Sequence, residues 1–255
     1  MSTLHVSKYT TGNQASVLVL LHGWGSSSKI WQPYIDELCK YFEIWCIDLP
    51  GHGESHMIEW DGSVEQGMQL LANVLPPVCS VVAWSLGGLW AQLYLQHFPE
   101  RVQKLMLIAS TPKFVASDDW LNGMPIVKFK LFNENYLSSP EKTLQQFIAL
   151  QTLHGKYAKQ CMQTLTRSAT TKNFQNIAWG LSWLEEIDLR GMNYLKKNNI
   201  CLLQGENDQV SSLAAAEDTA KICNNLELHN IAHASHVPFL SHPEIFIEHV
   251  FALIQ

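Results

Sequence analysis

Residues 79–102 read CSVVAWSLGGLWAQLYLQHFPERV, and Ser85 lies between a run typical of a buried strand and a run typical of a helix. The centre of this stretch, AWSLGG, differs at one position from G-x-S-x-G, in which a strand turns sharply into a helix and exposes a nucleophilic serine. Ala83 occupies the first glycine position and Gly87 the second. Because alanine adds only one methyl group at this crowded contact, we expect the turn to form. An ordinary turn also fits these six residues, so the wider sequence must decide.

Strand-like and helix-like runs alternate on both sides of this stretch. The strand-like runs, rich in β-branched and apolar residues, are 16–23, 42–51, 80–85, 102–110, 200–205 and 226–232. The helix-like runs, with apolar residues three and four positions apart, are 27–41, 63–75, 86–98, 212–223 and 243–254. Such alternation is typical of a mostly parallel sheet with helices on both faces. The sequence therefore predicts an α/β fold, and 255 residues suffice for one large domain.

The alternation is interrupted once, where helical patterns replace the strand-like runs. One of these patterns, SPEKTLQQFIALQTL, places four apolar side chains on one side of a helix: Leu144, Phe147, Ile148 and Leu150. We interpret the insertion as a helical cap over the carboxyl edge of the sheet, where open α/β folds bind ligands. The predicted division is a core of residues 1–110 and 187–255 and a cap of residues 111–186.

Composition argues against several classes of protein. The chain is 47% hydrophobic with a formal net charge of −6, which argues against disorder and against a nucleic-acid partner. The amino-terminal run is polar and no apolar run reaches membrane-spanning length, so we expect a cytoplasmic protein with no membrane partner. The six cysteines form no C-x-x-C pair, as is typical of reduced, buried thiols. Neither a nucleotide fingerprint nor a metal-ligand spacing appears, so we expect no cofactor and no metal.

Charge is divided unevenly along the chain. Residues 120–184 carry seven basic and two acidic side chains, a net charge of +5, which leaves −11 for the remainder. A solvated helical face explains such a surplus by itself. The functional explanation is a basic cap that attracts an acidic partner or an anionic substrate.

A serine nucleophile of this kind needs an acid and a base that follow it in the order Ser, Asp/Glu, His. Asp208 follows one strand-like run, in GENDQV, and His236 follows the next, in IAHASHVPFLSHP. The 28 residues from one to the other leave room for one helix and one strand, so both can reach the same edge of the sheet. Glu206 is the competing acid. His233 and His242 are competing bases, and spacing alone does not exclude His233.

A second motif, LLHGWG, follows the first clear strand-like run. A hydrolase with this kind of serine turn takes one oxyanion-hole amide from that position and the other from the residue after the serine. We therefore assign the oxyanion hole to the backbone N–H groups of Trp24 and Leu86. The chemistry asks for amides here, so we expect His22 to be structural.

Several motifs together resemble the α/β-hydrolase superfamily over nearly the whole chain: LHGWG, DLPGHGES, WSLGG, HFPERV, GENDQV and SHVPFLSHP. The two tryptophans of LHGWG and WSLGG, with LIASTPKF and FIALQT, make the chain more similar to the pimeloyl-acyl-carrier protein methyl ester esterases of biotin synthesis. The resemblance implies Ser85 as the nucleophile, Asp208 as the acid and His236 as the base. Ala83 and Ser211 depart from the family, which has glycine and proline there, and neither change removes a catalytic group.

The resemblance also implies the substrate and its contacts. The implied substrate-binding residues are Trp24, Ser85, Leu86, Phe147, Ile148, Ala149, Leu150, Gln151 and His236. The implied reaction is hydrolysis of the methyl ester of pimeloyl-acyl-carrier protein to methanol and the free carboxylate. We expect the protein to be a monomer. Since acyl-carrier proteins are acidic, Lys142, Lys156 and Lys159 are the candidates for docking the carrier.

Three other functions remain open from the sequence. A broad-specificity short-chain carboxylesterase and a carbon–carbon bond hydrolase would use the same three side chains. A hydrolase-fold receptor or binding protein would use none of them for chemistry. Dehalogenase chemistry is disfavoured because its family has an aspartate where this chain has Ser85.

Overall fold

Seven strands form one sheet in the computed structural model of the chain, which describes residues 3–12, 16–170, 172–191 and 200–254. The strands are β1 (Val6–Tyr9), β2 (Val17–Leu21), β3 (Glu43–Ile47), β4 (Cys79–Trp84), β5 (Val102–Ile108), β6 (Ile200–Gly205) and β7 (Leu226–Ile231). Their order across the sheet is β1-β3-β2-β4-β5-β6-β7. Only β1 runs antiparallel to its neighbour, so the prediction of a mostly parallel sheet is confirmed.

Helices flank the sheet and fill the connection from β5 to β6. The α-helices are α1 (Ile35–Leu38), α2 (Val64–Val74), α3 (Leu86–His97), α4 (Ile126–Ser138), α5 (Pro140–Thr152), α6 (Ala158–Ser168), α7 (Trp179–Glu186), α8 (Leu213–Ile222), α9 (Pro238–Ser241) and α10 (Pro243–Ile254). Short 3₁₀ helices span Ser28–Tyr34, Gly53–Ser55, Pro99–Arg101 and Phe174–Ile177.

The central strands are buried on both faces, which explains their continuous apolar sequences. Every residue of β4 and β6 is buried, and Leu18, Val82, Leu107 and Leu202 have no exposed surface. Helix α3 is buried over its first ten residues, because it lies between the sheet and neighbouring helices. The serine turn at its start is therefore held by a rigid strand and a rigid helix.

Helices α4 to α7 all lie between β5 and β6, where the sequence interpretation placed the cap. A cluster of four indoles ties α7 to the core: Trp60, Trp90, Trp179 and Trp183 have all their ring centroids within 5.0–5.7 Å of one another. The end of α6 is tied to the loop after β2, where Thr170 N–H donates to Gly25 O at 2.9 Å. The exact division between core and cap remains a prediction.

All six cysteines are buried free thiols, as expected. Among the described helices, none is long and apolar enough to cross a membrane.

Candidate active site

Ser85 lies at the turn between β4 and α3, with backbone φ 54° and ψ −118°. Its N–H donates to Ile108 O at 2.9 Å, and its carbonyl accepts from Gly88 N–H at 2.8 Å. A Cβ added at Gly87 would lie 2.5 Å from the carbonyl oxygen of His22, so only glycine fits there. The turn therefore forms despite the alanine at the first glycine position. Ala83 is fully buried and lies between Leu21 of β2 and Leu107 of β5 in register.

The His236 imidazole links Ser85 to Asp208. Its Nε2 lies 3.1 Å from Ser85 Oγ, and its Nδ1 lies 2.8 Å from Asp208 Oδ2. Two contacts fix the backbone of this histidine, whose N–H donates to Gln151 O at 3.1 Å. The indole N–H of Trp84 donates to His236 O at 3.0 Å. The histidine and the aspartate are buried, whereas the serine is half-buried and can be reached by a substrate.

Four hydrogen bonds hold the Asp208 carboxylate. Besides the imidazole, the backbone N–H groups of Val210 and Ser211 donate to Oδ1 at 2.7 and 2.9 Å, and Gln204 Nε2 donates to Oδ2 at 3.0 Å. Proline at position 211 could not donate such a bond, so Ser211 adds a donor that the usual proline lacks. Gln204 was not predicted, although an amide at the end of an otherwise apolar strand is a signal that could have found it.

The competing acid and bases lie elsewhere. Glu206 accepts a hydrogen bond from the backbone N–H of His233 at 3.1 Å, and the His233 side chain is exposed. His242 precedes α10 and its Nδ1 lies 2.9 Å from Ser241 Oγ. No hydrogen bond joins any of these three residues to Ser85 in the part of the chain that the structure describes.

The backbone N–H groups of Trp24 and Leu86 have no hydrogen-bond acceptor among the described residues. Leu86 is the first residue of α3, so its N–H lies at the positive end of the helix dipole. Unpaired amides can stabilise an oxyanion that forms at the serine.

Two buried histidines hold the loop that carries the Trp24 amide. His22 Nε2 accepts from Leu49 N–H at 3.0 Å, and His52 Nε2 accepts from Gly25 N–H at 3.1 Å. Each ring donates its other N–H to a backbone carbonyl. Burial lowers the pKa of His22 and holds that of His52 well below its ordinary value, so both rings stay neutral. This agrees with a structural role for His22.

A largely apolar cavity of about 320 Å³ opens at Ser85 beneath α4 and α5. Its walls are Trp24, Ser85, Phe114, Met124, Lys128, Phe129, Leu131, Phe132, Asn135, Phe147, Leu150, Leu181, Leu184, Gln209 and Val210. The Trp24 ring packs edge-on against Phe132 and Phe147, with centroids 5.6 and 5.5 Å away. The cavity can take an extended apolar chain with its reacting end at the serine.

The predicted substrate-binding residues are only partly at this cavity. Trp24, Ser85, Phe147 and Leu150 line it. Leu86 offers its backbone N–H, and His236 contacts Ser85 through its Nε2. Gln151 accepts the backbone N–H of His236 at its carbonyl oxygen. Ile148 is buried and Ala149 is exposed. The contributions of α4 and of Gln209 were missed, because the helical pattern of α4 does not reveal which face meets the sheet.

Comparison with known proteins gives the family. The sequence family described as alpha/beta hydrolase fold matches residues 16–243. The chain belongs to the α/β-hydrolase fold family. Two relatives of this hydrolase are named pimeloyl-acyl-carrier protein methyl ester esterase. The protein from Nitrosomonas europaea is 35% identical over 97% of this chain and 98% of its own length. The protein from Photobacterium profundum is 32% identical over 94% of this chain and 95% of its own length.

Solved structures agree with the fold of the hydrolase. The esterase EaEST from Exiguobacterium antarcticum superimposes with a TM-score of 0.84 at 18% identity and covers 99% of this chain and 98% of its own. The enol-lactonase from Burkholderia xenovorans LB400 gives a TM-score of 0.82 at 16% identity, with 98% and 96% covered. At such identities these two structures support the fold alone.

The three predicted docking lysines of the hydrolase are exposed on α5 and around the start of α6. Lys142 lies in the first turn of α5, and Lys156 and Lys159 lie on either side of the α6 start. Lys156 Nζ is 4.9 Å from the centroid of the Tyr157 ring. Lys128, which was not among the predicted docking residues, lines the cavity. Within the described ranges, no cluster of three or more histidine, cysteine or acidic side chains is arranged to hold a metal ion.

Proposed function

We propose that the chain is a serine carboxylesterase that hydrolyses the methyl ester of pimeloyl-acyl-carrier protein, releasing methanol and the free ω-carboxylate. One observation carries the proposal: the hydrogen-bonded series Asp208, His236 and Ser85 ends at a largely apolar cavity of about 320 Å³. The names of relatives at 32% and 35% identity, over nearly the whole chain, supply the substrate.

The acylation step follows from the hydrogen bonds. His236 Nε2 takes the proton from Ser85 Oγ as that oxygen attacks the ester carbonyl. Asp208 holds the imidazole in the tautomer whose Nε2 is free to accept, and it stabilises the imidazolium that forms. The amides of Trp24 and Leu86 donate to the oxyanion. Loss of one such donor typically costs about 3–4 kcal/mol of transition-state stabilisation.

Collapse of the tetrahedral intermediate breaks the bond between the acyl carbon and the methoxy oxygen. The His236 imidazolium gives its proton to that oxygen, and methanol leaves. A water molecule then loses a proton to His236 and attacks the acyl-serine. The second collapse releases the carboxylate and restores the Ser85 hydroxyl.

The cavity supports an acyl chain rather than a polar substrate. Most of its walls are aromatic and aliphatic side chains, and its polar lining residues apart from Ser85, which are Lys128, Asn135 and Gln209, are exposed. A methylene chain fits such walls, and its polar carrier attachment would emerge among the polar side chains. The net charge of +5 over residues 120–184 favours approach of an acidic carrier, and Lys142, Lys156 and Lys159 are proposed to contact it.

The test measures methanol release from pimeloyl-acyl-carrier protein methyl ester by the wild type and two serine variants. Ser85→Ala should lower kcat by a factor on the order of 10⁴ or more, since the nucleophile is lost. Ser138→Ala, at an exposed position at the end of α4, should leave kcat unchanged. Turnover by a folded Ser85→Ala variant at the wild-type rate would overturn the proposed mechanism. Hydrolysis of small esters without action on the carrier-bound ester would favour a broad-specificity short-chain carboxylesterase.

A further inference from the structure

A second, much smaller recess opens at Ser85. It offers about 10 Å³ to the centres of water-sized groups, whereas the large cavity offers about 320 Å³ on the same measure. A space of about 10–15 Å³ on this measure holds roughly one water molecule. Its walls are Ser85, Leu89, Ala109, Ser110, Thr111, Phe114, Leu184 and Ile187. The recess therefore has room for one small group beside the serine.

The recess and the large cavity adjoin each other at three residues. Phe114 and Leu184 line both spaces, as does Ser85. Leu89 and Ile187 line the recess alone, and Leu181 lines the large cavity alone. Substitutions can therefore change one space without changing the other.

Strand order fixes the side of Ser85 on which the recess lies. The Trp24 amide follows β2, on one side of β4, whereas the recess residues Ala109 to Thr111 follow β5, on the other side. Asp208 and His236 follow β6 and β7, which lie beyond β5 in the same direction. The recess is thus on the side of the acid and the base, away from the Trp24 amide.

An ester bound for attack must place one oxygen towards the Trp24 amide and its other oxygen towards His236. Its carbonyl oxygen faces the oxyanion amides, and its alkoxy oxygen must receive a proton from His236 Nε2. The acyl chain takes the large cavity, which leaves the alkoxy group facing the side of the recess.

We propose that this recess is the alcohol subsite of the esterase, and that its size sets the preference among alkyl groups. The inference rests on the proposed function only in that it takes Ser85 and His236 as an ester-hydrolysing pair. When the bond from the acyl carbon to the alkoxy oxygen breaks, the proton from His236 makes the free alcohol in the recess. After the alcohol leaves, a water molecule occupies the same space, loses a proton to His236 and attacks the acyl-serine.

The test compares kcat/KM for the methyl and n-butyl esters of one soluble acid, butanoic acid. The wild type should prefer the methyl ester. Ile187→Ala, at a half-buried position, should raise the ratio of butyl to methyl kcat/KM about tenfold, because contacts of one or more methylenes change rates by about 10- to 200-fold. Leu89→Ala is the second enlarging variant. Leu181→Ala, which widens only the large cavity, should leave the ratio unchanged.

Thermal unfolding checks that each variant is folded. A raised ratio in either of the two variants that enlarge the recess supports the proposal. The proposal is overturned if the ratio stays at the wild-type value in folded Ile187→Ala and Leu89→Ala. It is also overturned if Leu181→Ala raises the ratio equally, because the alkoxy group would then occupy the large cavity. Because these esters carry no carrier protein, failure on pimeloyl-acyl-carrier protein alone would contradict the proposed substrate and leave the alcohol subsite standing.

Discussion

Ser85 has a backbone conformation that few residues other than glycine adopt, with φ 54°. Such a conformation is kept only where its surroundings enforce it, and here hydrogen bonds to Ile108 and Gly88 do so. The nucleophile is therefore fixed by the backbone, before its side chain contacts His236. Small changes at the neighbours of the turn should have large effects on activity.

The first such change is Ala83→Val. Ala83 is fully buried between β2 and β5, and two further methyl groups there should displace the turn. We expect at least a tenfold loss of kcat on methyl esters. Ala252→Val, at an exposed position of α10, is the matched control and should keep wild-type activity. Full activity of Ala83→Val would show that the contact is less crowded than the burial indicates.

The second change concerns Gln204, which we interpret as a positioning residue for Asp208. Gln204→Leu removes a donor to the carboxylate, and a hydrogen bond to a charged group is worth about 1.5–3 kcal/mol. We expect kcat to fall about tenfold to a hundredfold with KM unchanged, since Gln204 does not line the cavity. A rise in KM at constant kcat would contradict this role.

Chain order and motif limited the serine, the acid and the base to a few candidates, and the family resemblance implied the three side chains that the structure brings together. Sequence reasoning could not find Gln204, whose role depends on how one side chain lies behind another. Nor could it separate His236 from His233 by spacing, since both follow the same strand; only the packing of the loop places one at the serine.

The loops after β2 and β3 are joined by His22 and His52. Both rings are buried and neutral, and burial lowers the pKa of each. In the unfolded chain these two imidazoles bind protons near pH 6.5, whereas in the folded chain they bind protons only at lower pH. The contribution of these two rings to the free energy of unfolding should therefore be constant above about pH 7 and fall as the pH decreases below 6.5.

Denaturant unfolding between pH 7.5 and 5.5 measures this dependence. His52→Gln, which removes one of the two buried rings, should reduce the decrease in unfolding free energy over that range. His5→Gln is a control, because His5 is exposed. An equal decrease in His52→Gln and in the wild type would contradict the assignment of the dependence to this pair.

Elements were predictable where they are buried on both sides. The inner parallel strands have continuous apolar runs, and all six predicted strands are present. Strand β1 was missed because it pairs only with β3 at the edge of the sheet and none of its four residues is buried. The helix predicted over 27–41 is mainly a 3₁₀ helix, Ser28–Tyr34, which contains Pro33; proline lacks the N–H that an α-helix interior requires.

Charge is divided along the chain between the basic segment 120–184 and an acidic remainder. If Lys142, Lys156 and Lys159 dock an acidic carrier, changing all three to glutamate should lower kcat/KM for the carrier-bound ester at least tenfold. Activity on a small soluble methyl ester should be unchanged, because none of the three lines the cavity. The wild-type rate on the carrier-bound ester should also fall as salt is raised.

Equal losses on both substrates would show that the lysines affect the fold or the site rather than docking. Lys221→Glu, on α8 outside the basic segment, is the control for a change of surface charge.

We propose that the hydrolase acts on a carrier-bound methyl ester, and a comparison of two methyl esters tests this substrate. Methanol release is followed with pimeloyl-acyl-carrier protein methyl ester and with the monomethyl ester of free pimelic acid, under identical conditions. We expect a kcat/KM at least tenfold higher for the carrier-bound ester, since both esters present the same reacting group and only one presents the acidic carrier. Equal values, or no methanol from the carrier-bound ester, would contradict the proposal.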